Sequence, residues 1–562
     1  MLLTLAVACL GATPAADWPG LRGPNGSGVA DTKGLAVWFS PQHSVVWKTG
    51  LPRGKSSPVV SGGRIFLTGH EGEKLITLCL DQKTGEILWK REIVRARQER
   101  RNEINDAAAP TPVTDGALVF AFFSELGLVA YDRDGNEKWR APLGPFESEH
   151  GIAASPILAG DNVIVVADVF IHSAITAFGK KDGKPAWKVE RRDTLGGYAT
   201  PSLYTPKQGP AEVVVPGPFE LAGYSAATGE KLWWVLGLAH QPKSVPAIHQ
   251  DVAYVTVKGW TGQYPAFQQM LAKVDTDSSG AISREEISKM GYFAKHFAGF
   301  DFNHNGLLEE SEWTAQFSGE ECLLAVRLGG RGDVSKTHVL WKYKKSLPQV
   351  PAPLLYDGVL YMVRDGGIMT SMDPSNGEVI KQARIKEAIE GFYSSPVAAE
   401  GKIYVSSESG KVIVLKAGKE WERLAVNDLG EEIWATPALV DGRVFLRTGS
   451  SLYCFQEKPG EQRPLVTAAP KPPVAPEVFA GYAGEYMAEQ GFRRRLIFED
   501  GLLLMRQGDQ DLELIAVNPT TFHVKGRPNM ILTFELQEGK VTAVTVQWNE
   551  RFKNRLTRVQ TQ

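Results

Sequence analysis

The chain has 562 residues, 43% hydrophobic and 22% charged, an ordinary globular composition that excludes a disordered or collagen-like polymer. Lys and Arg number 62 against 64 Asp and Glu, so no basic excess points to nucleic acid or an anionic membrane. The four cysteines show no CxxC, CxxCH or zinc-type spacing, which argues against a disulfide scaffold, an attached haem or a structural zinc.

The first segment, 1–16, has an apolar run from Leu2 to Leu10 followed by small residues. It reads as a secretory signal peptide, too short to span a bilayer, with the mature chain starting near Asp17-Trp18. Cys9 follows Ala6-Val7-Ala8, a poor lipoprotein box. The expectation is export to the periplasm or the medium, with lipidation the lesser alternative. No other segment is long and apolar enough for a membrane helix.

A repeat follows. A small residue and Pro, then an apolar run and a turn, recur at Pro58, Pro112, Pro156, Pro201, Pro246, Pro353, Pro396 and Pro437. The intervals are 41–54 residues apart from one of 107, which predicts about 60 inserted residues in the fifth unit. Within the first unit Val59-Val60, Arg64 to Leu67, Ile76 to Leu80 and Ile87 to Lys90 are short apolar runs separated by Gly, Asp and Thr turns. Such runs read as strands joined by hairpins, and four strands per 45 residues or so is the pattern of a β-propeller blade. Trp89, Trp139, Trp187, Trp233 and Trp341 recur in the last strand, with Trp421 in a looser unit and Val379-Ile380 in the sixth.

The eighth unit stops after three strands, and the missing one is found at Ser44 to Lys48, which matches the Leu-Trp-Lys strand. An unpaired blade edge would leave backbone donors and acceptors open, so the ring is expected to close with the N-terminal strand. The reading is all-β: an eight-bladed propeller over 17–456, its repeats running from 44 to about 456.

Leu78-x-x-Asp81-x-x-Thr84-Gly85-x-x-x-Trp89 resembles the tryptophan-docking repeat of the quinoprotein, or PQQ-type, propellers. Thr228-Gly229 with Trp233 and Asp373 with Gly377 are partial copies. The opening Trp18-Pro19-x-x-Arg22-Gly23-Pro24 is similar to the start of exported bacterial PQQ-like repeat proteins. The resemblance implies the fold; its tryptophans are architectural. It also raises PQQ as a cofactor, but the alcohol-oxidising members use an adjacent cysteine pair over the quinone, and this chain has none. Their calcium ligands and catalytic Asp have no secure counterpart; Asp168, Asp333 and Asp365 stand in no motif.

The insertion, 261–319, carries the most specific motif. Asp275, Asp277, Ser279 and Ser283 put oxygens at positions 1, 3, 5 and 9 of a twelve-residue loop. Gly280 turns the chain, Ala281 offers its carbonyl, and Glu286 closes the loop with two oxygens. A second loop repeats the spacing with Asp301, Asn303, Asn305, the Leu307 carbonyl, Glu309 and Glu312. Calcium takes six to eight oxygens, and this spacing wraps them round one point. Both loops resemble EF-hands, with Ile282 and Leu308 as bridging partners, a helix through Phe267, Met270, Leu271 and Val274 before them, and one with Trp313 and Phe317 after. Only Ile287 to Phe300 separates the loops, so the pairing is expected to be compressed. With few carboxylates per site the expected affinity is weak, roughly 10⁻⁵ to 10⁻³ M.

A linker at 457–476 holds six prolines, and 477–562 reads as a small antiparallel β domain, a half-barrel. Glu147-Ser148-Glu149-His150-Gly151 precedes the third unit where propeller loops line a channel, and His150 reads as a hydrogen-bonded loop histidine before a ligand or base. Gly54-Lys55-Ser56-Ser57 enters a strand and is no P-loop. The combined reading is an exported, monomeric scaffold that binds two Ca²⁺ and presents a face to a protein, peptide or glycan, with no catalytic residue assigned. The alternative is a PQQ-dependent oxidoreductase with a divergent pocket.

Overall fold

Runs of Val, Ile, Leu and Tyr broken by Gly and Asp turns form eight antiparallel sheets arranged as blades. The computed structural model describes residues 17–102, 104–191, 196–259, 265–301, 303–317, 319–458, 476–488, 493–507, 510–525, 527–549 and 552–559. The signal-peptide reading of 1–16 lies outside the described residues, as do 459–475 of the expected linker and 261–264 of the insertion.

Blades 1 to 7 occupy 59–94, 113–142, 157–190, 202–236, 247–343, 354–384 and 397–428. Their innermost strands touch in a closed ring. Blade 8 has Ala438–Val440, Arg443–Arg447 and Ser451–Gln456, and Val45–Gly50 pairs antiparallel with the last of these, Val45 opposite Phe455 and Gly50 opposite Ser451. The N-terminal strand therefore closes the ring. The insertion leaves blade 5 between its second strand, Val252–Val257, and its third, Cys322–Arg327.

Tryptophan docking holds neighbouring blades together. Trp47, Trp89, Trp139, Trp187 and Trp341 each lie against a positive-φ glycine in the next blade's turn: Gly85, Gly135, Gly183, Gly229 and Gly377. Each indole N–H donates to a carbonyl of that same next blade, from Trp89 to Arg133 O at 2.8 Å and from Trp341 to Pro374 O at 3.0 Å, for example. Trp233 departs from this pattern. It is fully buried against Gly223 of its own blade, and its indole N–H donates to Glu212 Oε2 at 2.7 Å.

A strap of N-terminal residues crosses the face on which the first two strands of each blade join. Trp18 bridges Val60 of blade 1, Asn25 bonds Leu203 of blade 4, Val29 bridges Ala398 of blade 7, and Thr32 Oγ1 accepts from Gly442 of blade 8. This strap closes one end of the ring.

The C-terminal segment forms a closed barrel of eight strands, from Gly484–Met487 to Phe552–Arg558. The half-barrel expectation is corrected by the pairing of those two end strands, Tyr486 with Arg558 and Met487 with Thr557. Phe552–Arg558 carries Lys553, Arg555 and Arg558, a polar outer face that hides a strand from an apolar search. Leu556 is fully buried there.

Candidate functional site

Each chain segment entering an innermost strand is extended, so alternate residues face the axis. The residue just before each repeated proline forms a lower ring: Ser57, Thr111, Ser155, Thr200, Val245, Ala352, Ser395 and Thr436. Its hydroxyls link the blades. Ser57 N–H donates to Thr111 Oγ1 at 2.9 Å, Thr111 N–H to Ser155 Oγ at 2.9 Å and Ser155 N–H to Thr200 Oγ1 at 2.8 Å. Ala352 N–H donates to Ser395 Oγ, Ser395 N–H to Thr436 Oγ1 and Thr436 N–H to Ser57 Oγ, at 3.0, 3.1 and 2.9 Å. Val245 and Ala352 have no hydroxyl, so the belt is open at the entries to blades 5 and 6.

Two residues further back, a second ring lines a cavity of about 650 Å³: Lys55, Ala109, Ala153, Tyr198, Lys243, Val350, Tyr393 and Trp434. This is the funnel of the ring. Its floor includes Leu21 of the strap. Lys55 and Lys243 head blades 1 and 5, on opposite sides.

Both amines are constrained. Lys55 Nζ lies 3.5 Å from the centre of the Trp434 ring and donates to Ile104 O at 2.6 Å. Lys243 donates to Gln241 O at 3.0 Å, and burial pushes its amine down to about 8. Burial likewise lowers Lys55, against a smaller opposing pull from Asp106.

At the mouth, Glu149 stands between two imidazoles. His150 Nε2 and His296 Nε2 are each 3.9 Å from one of its oxygens, and Gln241 Nε2 donates to it at 3.1 Å. Burial lowers both histidines, with Glu149 opposing. His296 comes from the insertion, where its ring also meets Phe170 edge-on. The insertion thus stands on the funnel-mouth face.

The two twelve-residue loops share part of their internal hydrogen bonding: position 1 accepts from the N–H groups of positions 5 and 6, and position 12 from that of position 9. In the first, Asp275, Asp277 and Glu286 bring carboxylate oxygens within 4.8 Å of one another. Asp275 accepts from Ser279 N–H and Gly280 N–H at 3.2 and 3.1 Å, and Ser279 Oγ lies 3.2 Å from Ala281 O. Glu286 accepts from Ser283 N–H and Thr276 N–H, which hold its carboxyl down to about 2, and the Ser283 hydroxyl donates to it too. In the second, Asp301 accepts from Asn305 N–H and Gly306 N–H at 3.1 and 2.9 Å. Glu312 accepts from Asn303 N–H and Glu309 N–H, and Asn305 Oδ1 from Leu307 N–H.

Ile282 pairs with Leu308 across the loops. Helices α1 (Phe267–Val274), α2 (Gly291–Lys295), α3 (Phe297–Phe300) and α4 (Glu310–Phe317) surround them, the middle two being the compressed connection. Phe267, Met270, Phe297, Phe300 and Trp313 share their core, and Phe170 of blade 3 packs against it.

The other residues raised from sequence lie elsewhere. Asp168 is buried and ion-paired with Arg191 at 2.6 Å. Asp333 is exposed in the short strand Gly332–Asp333 beside blade 4 and accepts from Ser335 N–H, and Asp365 accepts from Phe392 N–H. His150 does line the funnel, with Glu149. Sequence reasoning missed Lys243, Tyr198, Trp434 and His296. The first three share one signal, a place three residues before a repeated proline; nothing marked His296.

The family whose model is described as outer membrane protein assembly factor BamB matches residues 28–168, 79–289 and 331–463. Among solved structures, a europium-containing methanol dehydrogenase is similar at 11% identity over 79% of this chain and 98% of its own, with a TM-score of 0.51. A quinohemoprotein alcohol dehydrogenase from Pseudomonas putida HK5 is similar at 12% identity over 84% of this chain and 85% of its own, with a TM-score of 0.50. BamB from Moraxella catarrhalis is 12% identical over 74% of this chain and 99% of its own, with a TM-score of 0.47. At these identities the likeness is one of fold. No curated protein matches the sequence.

Among the described residues, the funnel lining does not include the groups of a quinone held under paired cysteines beside a metal. Cys79, Cys322 and Cys454 are buried in strands of blades 1, 5 and 8, and burial raises the Cys79 thiol to about 12. The carboxylate among the described funnel-lining residues is Glu149, already held by Gln241.

Proposed function

The chain belongs to the family described as outer membrane protein assembly factor BamB; from that membership we propose that it is an exported propeller serving as a protein- or ligand-binding scaffold, and from the acidic loops of its insertion that it binds calcium. Residues 17–456 form the scaffold, 261–319 an EF-hand pair set into it, 457–476 a linker and 477–562 an accessory β domain. Asp275, Asp277, Ser279, Ala281, Ser283 and Glu286 hold one Ca²⁺. Asp301, Asn303, Asn305, Leu307, Glu309 and Glu312 hold the other.

The observation that carries this reading is the convergence of the Asp275, Asp277 and Glu286 carboxylates within 4.8 Å, on a loop whose N–H groups already organise each acid. Three like charges so close are stable only with a cation between them or with the solvent screening them. Calcium braces the insertion, and through Phe170 and His296 the insertion borders the funnel mouth. A partner, protein, peptide or glycan, docks on that mouth.

The test is calorimetry of the calcium-stripped mature chain. Two sites with Kd of roughly 10⁻⁵ to 10⁻³ M are expected. Glu286→Gln with Glu312→Gln should abolish both, and PQQ added separately should give no heat. No calcium heat at millimolar concentration would sink the reading.

A further inference from the structure

Arg22 is fully buried, at 0% exposure, in the strap that closes the ring. Its guanidinium stays charged in proteins and brings five N–H donors. Nη2 donates to Pro353 O of blade 6 at 2.9 Å and points toward Ser27 O at 3.5 Å. Nε and Nη1 have no hydrogen-bond partner among the described residues. No ion pair is formed by Arg22 among the described residues either, and burial alone acts on its charge.

Other buried arginines of the molecule direct more of their donors at acceptors, although Nε of Arg384 and of Arg447 is also without a hydrogen-bond partner among the described residues. Arg191 pairs with Asp168 at 2.6 Å, and Arg384 with Asp511 at 3.0 Å. Arg447, 1% exposed, directs Nη1 and Nη2 at Ser56 O, Ser56 Oγ, Thr68 O and Pro52 O, all within 3.2 Å. An uncompensated buried charge with orphaned donors is strongly destabilising.

The backbone makes the placement deliberate. Arg22 has φ +60, a conformation that side-chain-bearing residues adopt at a cost, and its carbonyl accepts from Gly28 N–H at 2.9 Å. A Cβ on Gly28 would come within 2.8 Å of Nη2, so the strap admits the guanidinium only because that position is glycine. Leu21 and Gly23, on either side of Arg22, line a cavity of about 330 Å³, and Leu21 also lines the funnel. Both spaces include Val245, where the hydroxyl belt is open.

We propose that the Arg22 guanidinium binds a small monovalent anion of the chloride class inside the ring, held by Nε and Nη1. The anion supplies the missing counter-charge and locks the strap to blade 6. A small monovalent ion suits a single buried guanidinium that forms no ion pair among the described residues. The proposal is independent of calcium and of any ligand in the funnel.

Crystals of the full mature chain grown in sodium bromide test it. An anomalous bromine peak within hydrogen-bond distance of Arg22 Nε or Nη1 is expected. Water alone at those donors in high bromide would overturn the proposal. In solution, Tm should rise with chloride at constant ionic strength, against gluconate, and stop depending on it in Arg22→Met. Loss of the charged donors should weaken anion binding about ten- to a hundred-fold. If Arg22→Met does not fold, the bromide map of the unaltered chain decides by itself. A chloride dependence that persists in Arg22→Met would place the anion elsewhere and overturn the assignment.

Discussion

His240 is 3% exposed, and burial lowers its imidazole to about 4 from an ordinary 6.5. Below pH 6.5 the unfolded chain takes up a proton there that the folded chain refuses, so stability falls as pH drops from 6.5 toward 4. His150 and His296 shift the same way and steepen the fall. Urea midpoints measured from pH 7 to 5 should decline, and His240→Asn should flatten the slope; an unchanged slope would refute the assignment. The funnel residues were partly legible at this scale. The repeated Ser-Pro and Thr-Pro steps mark the lower ring, and counting back two places reaches Lys55, Tyr198, Lys243 and Trp434. The two twelve-residue loops were legible because oxygen-bearing side chains at fixed spacing leave a strong trace. His296 was not, because its contact with Glu149 joins positions 147 residues apart with no shared period.

At the level of strands and turns, docking of Trp89 on Gly135 depends on that turn having no side chain. Gly135 has φ +79, and a Cβ there would lie 2.7 Å from the Trp89 ring. Gly135→Ala should lower stability by about 2–5 kcal/mol, combining left-handed strain with overpacking. Gly160→Ala, at φ +56 with nothing within 4 Å, carries only the backbone part and should cost about 1–2 kcal/mol. Equal losses in denaturant melts would show that docking contributes little. The blade strands were readable because four short runs recur at one period and each is apolar on a buried face. The barrel's last strand was harder. Phe552–Arg558 carries Lys553, Arg555 and Arg558 among seven residues, a weaker trace than the blade repeat.

Over the whole molecule, two attachments flank the funnel mouth. The insertion borders blades 3 and 5, while the barrel rests on blade 6 through Arg384, whose guanidinium meets Asp511 and Glu499 at 3.0 Å each. Arg506 completes the contact with Asp511 at 2.7 Å, and Lys386 adds Asp500 at 3.2 Å. Burial, the largest single influence, raises the Asp511 carboxyl, but the hydrogen bonds and charges of both arginines together outweigh it and hold the group below its ordinary 3.8. Its contribution is therefore complete above that value and lost as pH falls through the lowered one. Asp511→Asn leaves two guanidinium groups facing a neutral amide and should weaken docking by on the order of 3 kcal/mol. Calorimetry would then resolve barrel and ring as separate transitions, and a single unchanged transition would count against this contact. The seam of blade 8 sets a timetable for synthesis. Val45–Gly50 leaves the ribosome about 400 residues before its partner Ser451–Gln456, which at 5–20 residues per second is roughly 20–80 s. Throughout that interval the strand has no mate, so the ring cannot close until its last blade arrives.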